Sequence, residues 1–303
     1  MTTDAPSVLL FFIDGLGIGS RGPFNPLDNL EDAAPLAVFK DEETRTIRDG
    51  RVVPTDARLG VEGRPQSASG QTTIFTGINA PSLLGYHKQG FPNQPLLEII
   101  REHSLFLKLK RAGVAPVTFA NTYPKRFFED RPRWVSATTA AVEAAELQFR
   151  TVDDLRNDQA IYQDFTNRLL IDRGEAVRPR TATEAAEVLA SIAAENRFTL
   201  YEYFITDKIG HAQDMNAARA VLKDLARLIR ELLVRVDLSR LSVILTSDHG
   251  NIEDLSSRNH TLNEVPTIVW GANRDSIAGR VKSLADITPA IVECLTEKAT
   301  AHR

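Results

Sequence analysis

Six side chains able to hold a metal ion fall in four short clusters that run from one end of the chain to the other. They are Asp14 in FIDG, Asp207 and His211 in DKIGH, Asp248 and His249 in SDHGN, and His260 in RNHT. Three carboxylates and three imidazoles exceed what one small ion takes, and they suit two divalent cations sharing an anionic substrate. Each cluster adjoins an apolar run that reads as a buried strand. Neighbouring strand ends of a parallel sheet meet at one crevice, where α/β proteins bind ligands, so residues distant in sequence are expected to converge there.

Asp207 and His211 stand four apart, so a helical turn after the strand puts both on one face. Asp248 and His249 are adjacent, and adjacent residues of a straight strand point to opposite faces. Gly250 follows them and permits a turn through which both reach the crevice. Taken singly, each cluster also fits something ordinary: Asp14-Gly15 a turn, Asp248 a helix cap, His260 a loop residue. Their joint position at strand ends is what points to metal. Ser67 opens a small-residue segment, SASGQTTIFTG, that reads as a helix starting near Ser67 and Ser69. A hydroxyl there sits among free backbone N–H groups that favour negative charge. A metal on that oxygen lowers its pKa and makes a nucleophile. The ordinary reading of either serine is an N-cap.

The elements that must position these groups alternate in type. Ser7–Ile13 (SVLLFFI) is a continuous apolar run, as expected of a strand covered on both faces. Residues 15–64 are polar and rich in Gly and Pro, and read mostly as loop. Residues 94–111 carry a helical pattern broken near His103 and Ser104, and 114–120 a second strand. Residues 181–195 form an Ala-rich helix opened by a Thr181-x-x-Glu184 capping box. Strands follow at 198–206, 241–247 and 265–270, with helices at 216–236 and 284–296. This rhythm predicts an α/β fold: a mainly parallel sheet with helices on both faces. Residues 123–179 break it, with five arginines between positions 126 and 156 (Arg126, Arg131, Arg133, Arg150 and Arg156). They read as a small inserted lid, between the two halves, 1–122 and 180–303, of a catalytic metal-binding domain.

The 303 residues carry a net charge of −4, and the arginines are not clustered beside aromatics. No basic field points to nucleic acid, and no segment has the ~18 apolar residues of a membrane span. Cys294 is the single cysteine and cannot form an intrachain disulfide, which fits a reducing compartment. The first apolar run is short, lacks a basic leader and ends in Asp-Gly rather than a cleavage site. The expectation is a cytoplasmic protein with no nucleic-acid or membrane partner, its oligomeric state open.

The order Asp, Ser, D-x-x-x-H, D-H, H resembles the alkaline phosphatase superfamily of metalloenzymes, most nearly cofactor-independent phosphoglycerate mutase and phosphopentomutase. The similarity lies in FFIDGLGIG, SDHGNIE, NHTLNEVPTIVWG and LADITPAI, and covers little of residues 80–195. The resemblance implies that Asp14, Asp248, His249 and the nucleophile hold one metal, and Asp207, His211 and His260 the other. It implies Ser67 as the nucleophile, from the Thr76-Gly77 pair that closes the helix. Thr72 is the rival, since GQTT is similar to the phosphopentomutase motif, and Ser69 a third candidate. Sulfatases carry Pro and Arg where this chain has Ser69 and Gln71, so sulfate esters are not expected.

The reading is a two-metal phosphoryl-transfer enzyme acting on a small phosphorylated substrate through a serine phosphoenzyme. The short lid favours a phosphatase over a mutase, because a mutase must exclude water. Oxygen ligands mixed with imidazole suit Mn²⁺ or Zn²⁺, and the mutase-like motifs favour manganese. Arg126, Arg131 and Arg133, with His87 and Lys88, are candidate substrate-binding residues, since guanidinium suits bidentate phosphate recognition. The alternatives are a phosphodiesterase or phosphonate hydrolase of the same superfamily, and a metal-binding protein without catalysis.

Overall fold

A computed structural model describes residues 5–42 and 46–297; the outermost residues of the expected catalytic domain, 1–4 and 298–303, lie outside them. Seven strands form one sheet: β1 Ser7–Ile13, β2 Thr46–Ile47, β3 Gly50–Thr55, β4 Val117–Phe119, β5 Phe198–Tyr203, β6 Leu241–Ser247 and β7 Val265–Trp270, in the order β2-β3-β7-β6-β1-β5-β4. β1 is central and parallel to both β5 and β6. Its side chains alternate between two cores, which explains the unbroken apolar run. Leu9, Phe11 and Ile13 pack under the helices Ala182–Glu195 and Met215–Arg235. Val8, Leu10 and Phe12 face the other side, against Ile74, Phe75 and Phe106. The Thr181–Glu184 capping box is formed, and the break near Ser104 separates helices Gln94–His103 and Leu105–Arg111.

The parallel part of the sheet is β6-β1-β5-β4; the β2-β3-β7 side is antiparallel. β7 follows β6 through a loop with no crossover helix, so it must return antiparallel. Its first residues therefore lie at the same sheet edge as the last residues of β6. The hairpin β2–β3 lies inside the stretch read as loop. It is an edge hairpin with Pro54 in it, and offers too little apolar alternation to be legible.

Residues 123–179, expected as an inserted lid, divide in two. The helix Ala137–Ala144 is part of the main core: Ala137, Ala140, Ala141 and Val142 pack with Ile100, Leu105 and Phe106. Leu155, Ala160, Tyr162 and Leu170 form a separate small cluster. Among the described residues no helix is long and apolar enough to cross a membrane.

Candidate metal centre

Ile13 pairs with Tyr203 on β5 and with Ser247 on β6. The next residue on each strand, including Asp14 and Asp248, therefore emerges at one end of the sheet. The Asp14 N–H donates to Tyr203 O at 2.8 Å, which fixes that end. Gly15 has φ +77, and a Cβ there would stand 2.9 Å from the Asp207 Cα; glycine is what lets the chain turn beside the third carboxylate. Asp207 and His211 project from the helix Ile205–Ala212, which starts directly after β5. His260 reaches the same edge because β7 is antiparallel. β3 runs antiparallel to β7 with Thr55 opposite Val265, so it also ends at this edge and leads to the helix Ser67–Thr76. That helix packs onto the β6 end at Gly70, where a Cβ would lie 3.1 Å from both Asp248 Cβ and Asp248 O.

The four clusters and Ser67 thus meet. His249 Nε2 is 3.0 Å from Ser67 Oγ, 3.2 Å from Asp14 Oδ1 and 3.6 Å from Asp248 Oδ2. Asp207 Oδ2 is 3.3 Å from His211 Nε2, and Asp207 Oδ1 is 3.4 Å from His260 Nε2. Two sets of donor atoms lie within 4.8 Å of one another: Asp207, His211 and His260, and Asp14, Asp207 and His249. Asp207 belongs to both. Asp248 adjoins the second set, its Oδ2 3.6 Å from His249 Nε2 and accepting from Gln71.

Several features fit these residues to cations. His211 Nδ1 donates to Arg258 O at 2.6 Å and His260 Nδ1 to Pro65 O at 2.8 Å. Those bonds leave both Nε2 lone pairs facing inward, yet the two Nε2 atoms are 3.2 Å apart and each faces an Asp207 oxygen. Lone pairs against lone pairs and a carboxylate repel unless a cation sits among them. Asp14 Oδ1 is buried without a hydrogen-bond partner, although His249 Nε2 lies 3.2 Å away. An orphaned buried carboxylate oxygen is costly unless a cation binds it.

The electrostatics agree. Burial pushes Asp14 above the usual carboxylate range and lifts Asp248 to about 7, the Asp14 charge adding to the second shift. Burial disfavours the His249 imidazolium, but Asp248, Asp14 and Asp207 outweigh it and raise that group to about 10. Burial also opposes ionisation of Asp207, yet His260, His249, Asn251 and His211 hold it well below the usual range. The cluster needs added positive charge to keep its carboxylates ionised together.

Thr72 and Ser69 do not reach the cluster by any hydrogen bond. Thr72 is fully buried, its hydroxyl donating to Ala68 O at 2.6 Å. Ser69 Oγ donates to Gln66 O and accepts from the Lys88 N–H. Beside Ser67 and Asp14 opens a cavity of about 600 Å³. Arg126, Arg131, Arg133, His87 and Lys88 are not on its wall. Arg126 faces solvent near Asp130, Arg131 pairs with Glu143, and Arg133 lies over the Trp134 ring. His87 Nε2 is 3.3 Å from Val61 O, and burial lowers its pKa; Lys88 Nζ donates to Gln89 O.

Three supporting residues escaped the sequence reading. Gln71 Nε2 donates to Asp14 Oδ2 at 3.1 Å and Asp248 Oδ2 at 3.0 Å; its position four residues after Ser67, on the same helix face, was the available signal. Glu253 is buried and accepts from the Gly17 and Asn251 N–H groups and from the side chains of Thr261 and Asn263. It ties the β1 loop to the β6–β7 loop. Glu202, on β5, lies on the cavity wall, and burial, then the Asp14 charge, push it up to about 8. No local pattern marks either glutamate.

A family model described as the Metalloenzyme superfamily matches residues 173–299. The phosphopentomutase of Alkaliphilus metalliredigens is 21% identical over 95% of this chain and 74% of its own length. The 2,3-bisphosphoglycerate-independent phosphoglycerate mutase of Antithamnion sp. is 32% identical over 33% of this chain and 21% of its own length, so the match spans about a fifth of that mutase. Among solved structures, the cold-active alkaline phosphatase of a psychrophilic Shewanella sp. superposes with a TM-score of 0.54 at 11% identity, covering 96% of this chain and 100% of that one. Fold and clustered ligands together define a metalloenzyme-type α/β protein. Over residues 173–299 the chain is similar to the Metalloenzyme superfamily, and its fold is that of the alkaline phosphatases.

Proposed function

We propose that this chain is a metal-dependent phosphatase that passes the phosphoryl group through Ser67. The observation that carries the reading is the meeting of Ser67 Oγ with two overlapping sets of carboxylate and imidazole donors. Two bound divalent cations, manganese or alternatively zinc, would neutralise the phosphate and acidify the serine hydroxyl. Asp207, His211 and His260 would hold one; Asp14, Asp248, His249 and Ser67, with Asp207 between, the other. Ser67 Oγ attacks phosphorus in line, its bond to phosphorus forming as the bond to the leaving alcohol breaks. N–H groups at the start of its helix, which lack partners within the helix, hold a phosphoryl oxygen. Water then displaces Ser67, whose oxygen recovers a proton. Gln71 keeps the Asp14 and Asp248 carboxylates turned inward throughout.

Hydrolysis is favoured over mutase chemistry by the wide cavity beside Ser67, which gives water access to the phosphoserine. Cys294, the single cysteine, can form no intrachain disulfide, which supports a cytoplasmic setting. The test is a manganese-loaded assay on phosphomonoesters, diesters and phosphonates that follows both free phosphate and isomerised product. Phosphate release from monoesters is expected. Isomerised product without phosphate would make the chain a mutase, and a preference for diesters or phosphonates would move it to that branch. Metal uptake with no turnover of any substrate would leave only a metal-binding protein.

A further inference from the structure

The cavity that contains Ser67 and Asp14 has a wall unlike that expected of a site for a small, highly charged metabolite. Phe91, Phe119, Tyr123, Phe127, Trp134 and Phe204 all face it. Phe91 and Trp134 are 51% and 54% exposed, so these rings are not held there by a core. Among the described residues Arg173 is the one cationic side chain on the wall. The same segment that supplies Tyr123, Phe127 and Trp134 keeps its arginines off the lining: Arg126 pairs with Asp130 and Arg131 with Glu143, and Arg131 and Arg133 lie over the Phe127 and Trp134 rings without lining the cavity. The volume, about 600 Å³, lies in the range that buries a drug-sized molecule and greatly exceeds a phosphate group.

From this arrangement we infer that the leaving group is a neutral, flat, ring-bearing alcohol, seated against the aromatic wall while its phosphate lies at Ser67. This rests on the phosphatase reading and specifies its substrate class. Aromatic faces attract flat rings by stacking and by burial of apolar area. A second carboxylate or phosphate on the substrate would find one arginine and no clamp, and would lie near the buried Asp14 and Glu202. Hydrocarbon and heteroaromatic rings share this chemistry.

The test compares kcat/KM of the manganese-loaded protein for phenylethyl phosphate and ethyl phosphate, whose alcohols leave with similar intrinsic ease. A nucleoside monophosphate and phosphoglycerate complete the panel. A preference of about 10–100-fold for phenylethyl over ethyl phosphate is expected from burying one ring, with phosphoglycerate poorest. The nucleoside ester separates the sources: rates above the phenylethyl ester assign a heteroaromatic ring, rates below it a hydrocarbon one. Trp134→Ala should shrink the phenylethyl-to-ethyl ratio about tenfold. Equal rates for the phenylethyl and ethyl esters, or a preference for phosphoglycerate, overturn the inference and leave the phosphatase standing. If no ester turns over, the phosphatase reading fails; titration of phenylethylphosphonate against ethylphosphonate by Trp134 fluorescence then decides the cavity separately. Tighter phenylethyl binding supports it and equal binding sinks it.

Discussion

The strand-end cluster and the cavity wall next to it are built on opposite principles. The cluster draws single residues from five distant parts of the chain and is almost wholly polar: Asp14, Ser67, Asp207, Asp248 with His249, and His260. The wall takes most of its rings from two short stretches, around Phe91 and from Phe119 to Trp134, and is mostly apolar. The cluster is fixed by the sheet, since the register of β1 with β5 and β6 dictates where Asp14 and Asp248 emerge. The wall is fixed by local packing, with Tyr123 set 4.5 Å from both Phe127 and Phe149 between ring centroids. On the proposed function, the chemistry would sit on the part fixed by the sheet, and discrimination between substrates on the part that can vary without disturbing it.

If that division holds, substitutions in the cluster remove activity outright and those outside it adjust it. The largest effect is expected for Ser67→Ala: a loss of about a thousandfold or more in kcat, with metal content by atomic emission near normal because the carboxylate and imidazole ligands remain. An active Ser67→Ala protein alongside a dead Thr72→Ala would move the nucleophile one helical turn along. Asp207→Asn tests the overlap of the two ligand sets. Because Asp207 is within reach of both, bound metal should fall at both positions; loss of one ion with full retention of the other would show that the sets do not share it.

The sequence made the cluster legible for a reason that does not extend to the wall. Metal chemistry requires Asp and His, and those types stand out even when scattered, so Asp14, Asp207 and His260 could be read without knowing the fold. Strands β1, β6 and β7 were legible because burial on both faces leaves an unbroken apolar run. An aromatic wall uses the same residues as a core. Phe119 is buried while Phe91 and Trp134 are exposed, and no periodicity distinguishes them. The arginines of residues 123–136 drew attention because phosphate enzymes need cations, yet side-chain direction decides their role, and that depends on tertiary packing. Gln71 and Glu253 were hidden for a related reason: a residue that holds a ligand in place needs only an amide or a carboxylate somewhere nearby in space.

Glu253→Ala asks whether the cluster depends on its supports. Four donors converge on that buried carboxylate, and its removal leaves them unpaired. A loss of about 3 kcal/mol in chemical denaturation is expected, with metal affinity down about 10-fold or more. An unchanged metal affinity at reduced stability would make the tie purely structural. Glu202 lies between the two regions and gives a pH signature. Its folded pKa, about 8, is above the ordinary value of 4.5. The folded state therefore holds its proton more tightly, and the associated stability is complete below pH ~4.5 and lost as pH rises through ~8. In metal-free protein, Glu202→Gln should be no more stable than the parent near pH 5, and more stable by on the order of 3–5 kcal/mol at pH 9. Parallel stability curves for the two proteins would mean that this carboxyl ionises freely.

The smallest effect is expected on the outer face of the same segment that forms the wall. Arg126 was a natural candidate for phosphate binding, but its side chain is 87% exposed and its nearest carboxylate, on Asp130, is 3.9 Å away. An exposed pair of this kind contributes little, about 0–1 kcal/mol, and the guanidinium is not on the cavity wall. Arg126→Ala should therefore change stability by no more than about 0.5 kcal/mol and leave kcat/KM for the preferred ester within about twofold, at low and at high salt. The salt comparison matters. A guanidinium acting at a distance on an anionic substrate would reveal itself as a rate loss at low ionic strength that disappears at high. That result would bring the arginines back into substrate recognition, and the contrast between a charged cluster and a neutral wall would have to be redrawn to include the outer surface.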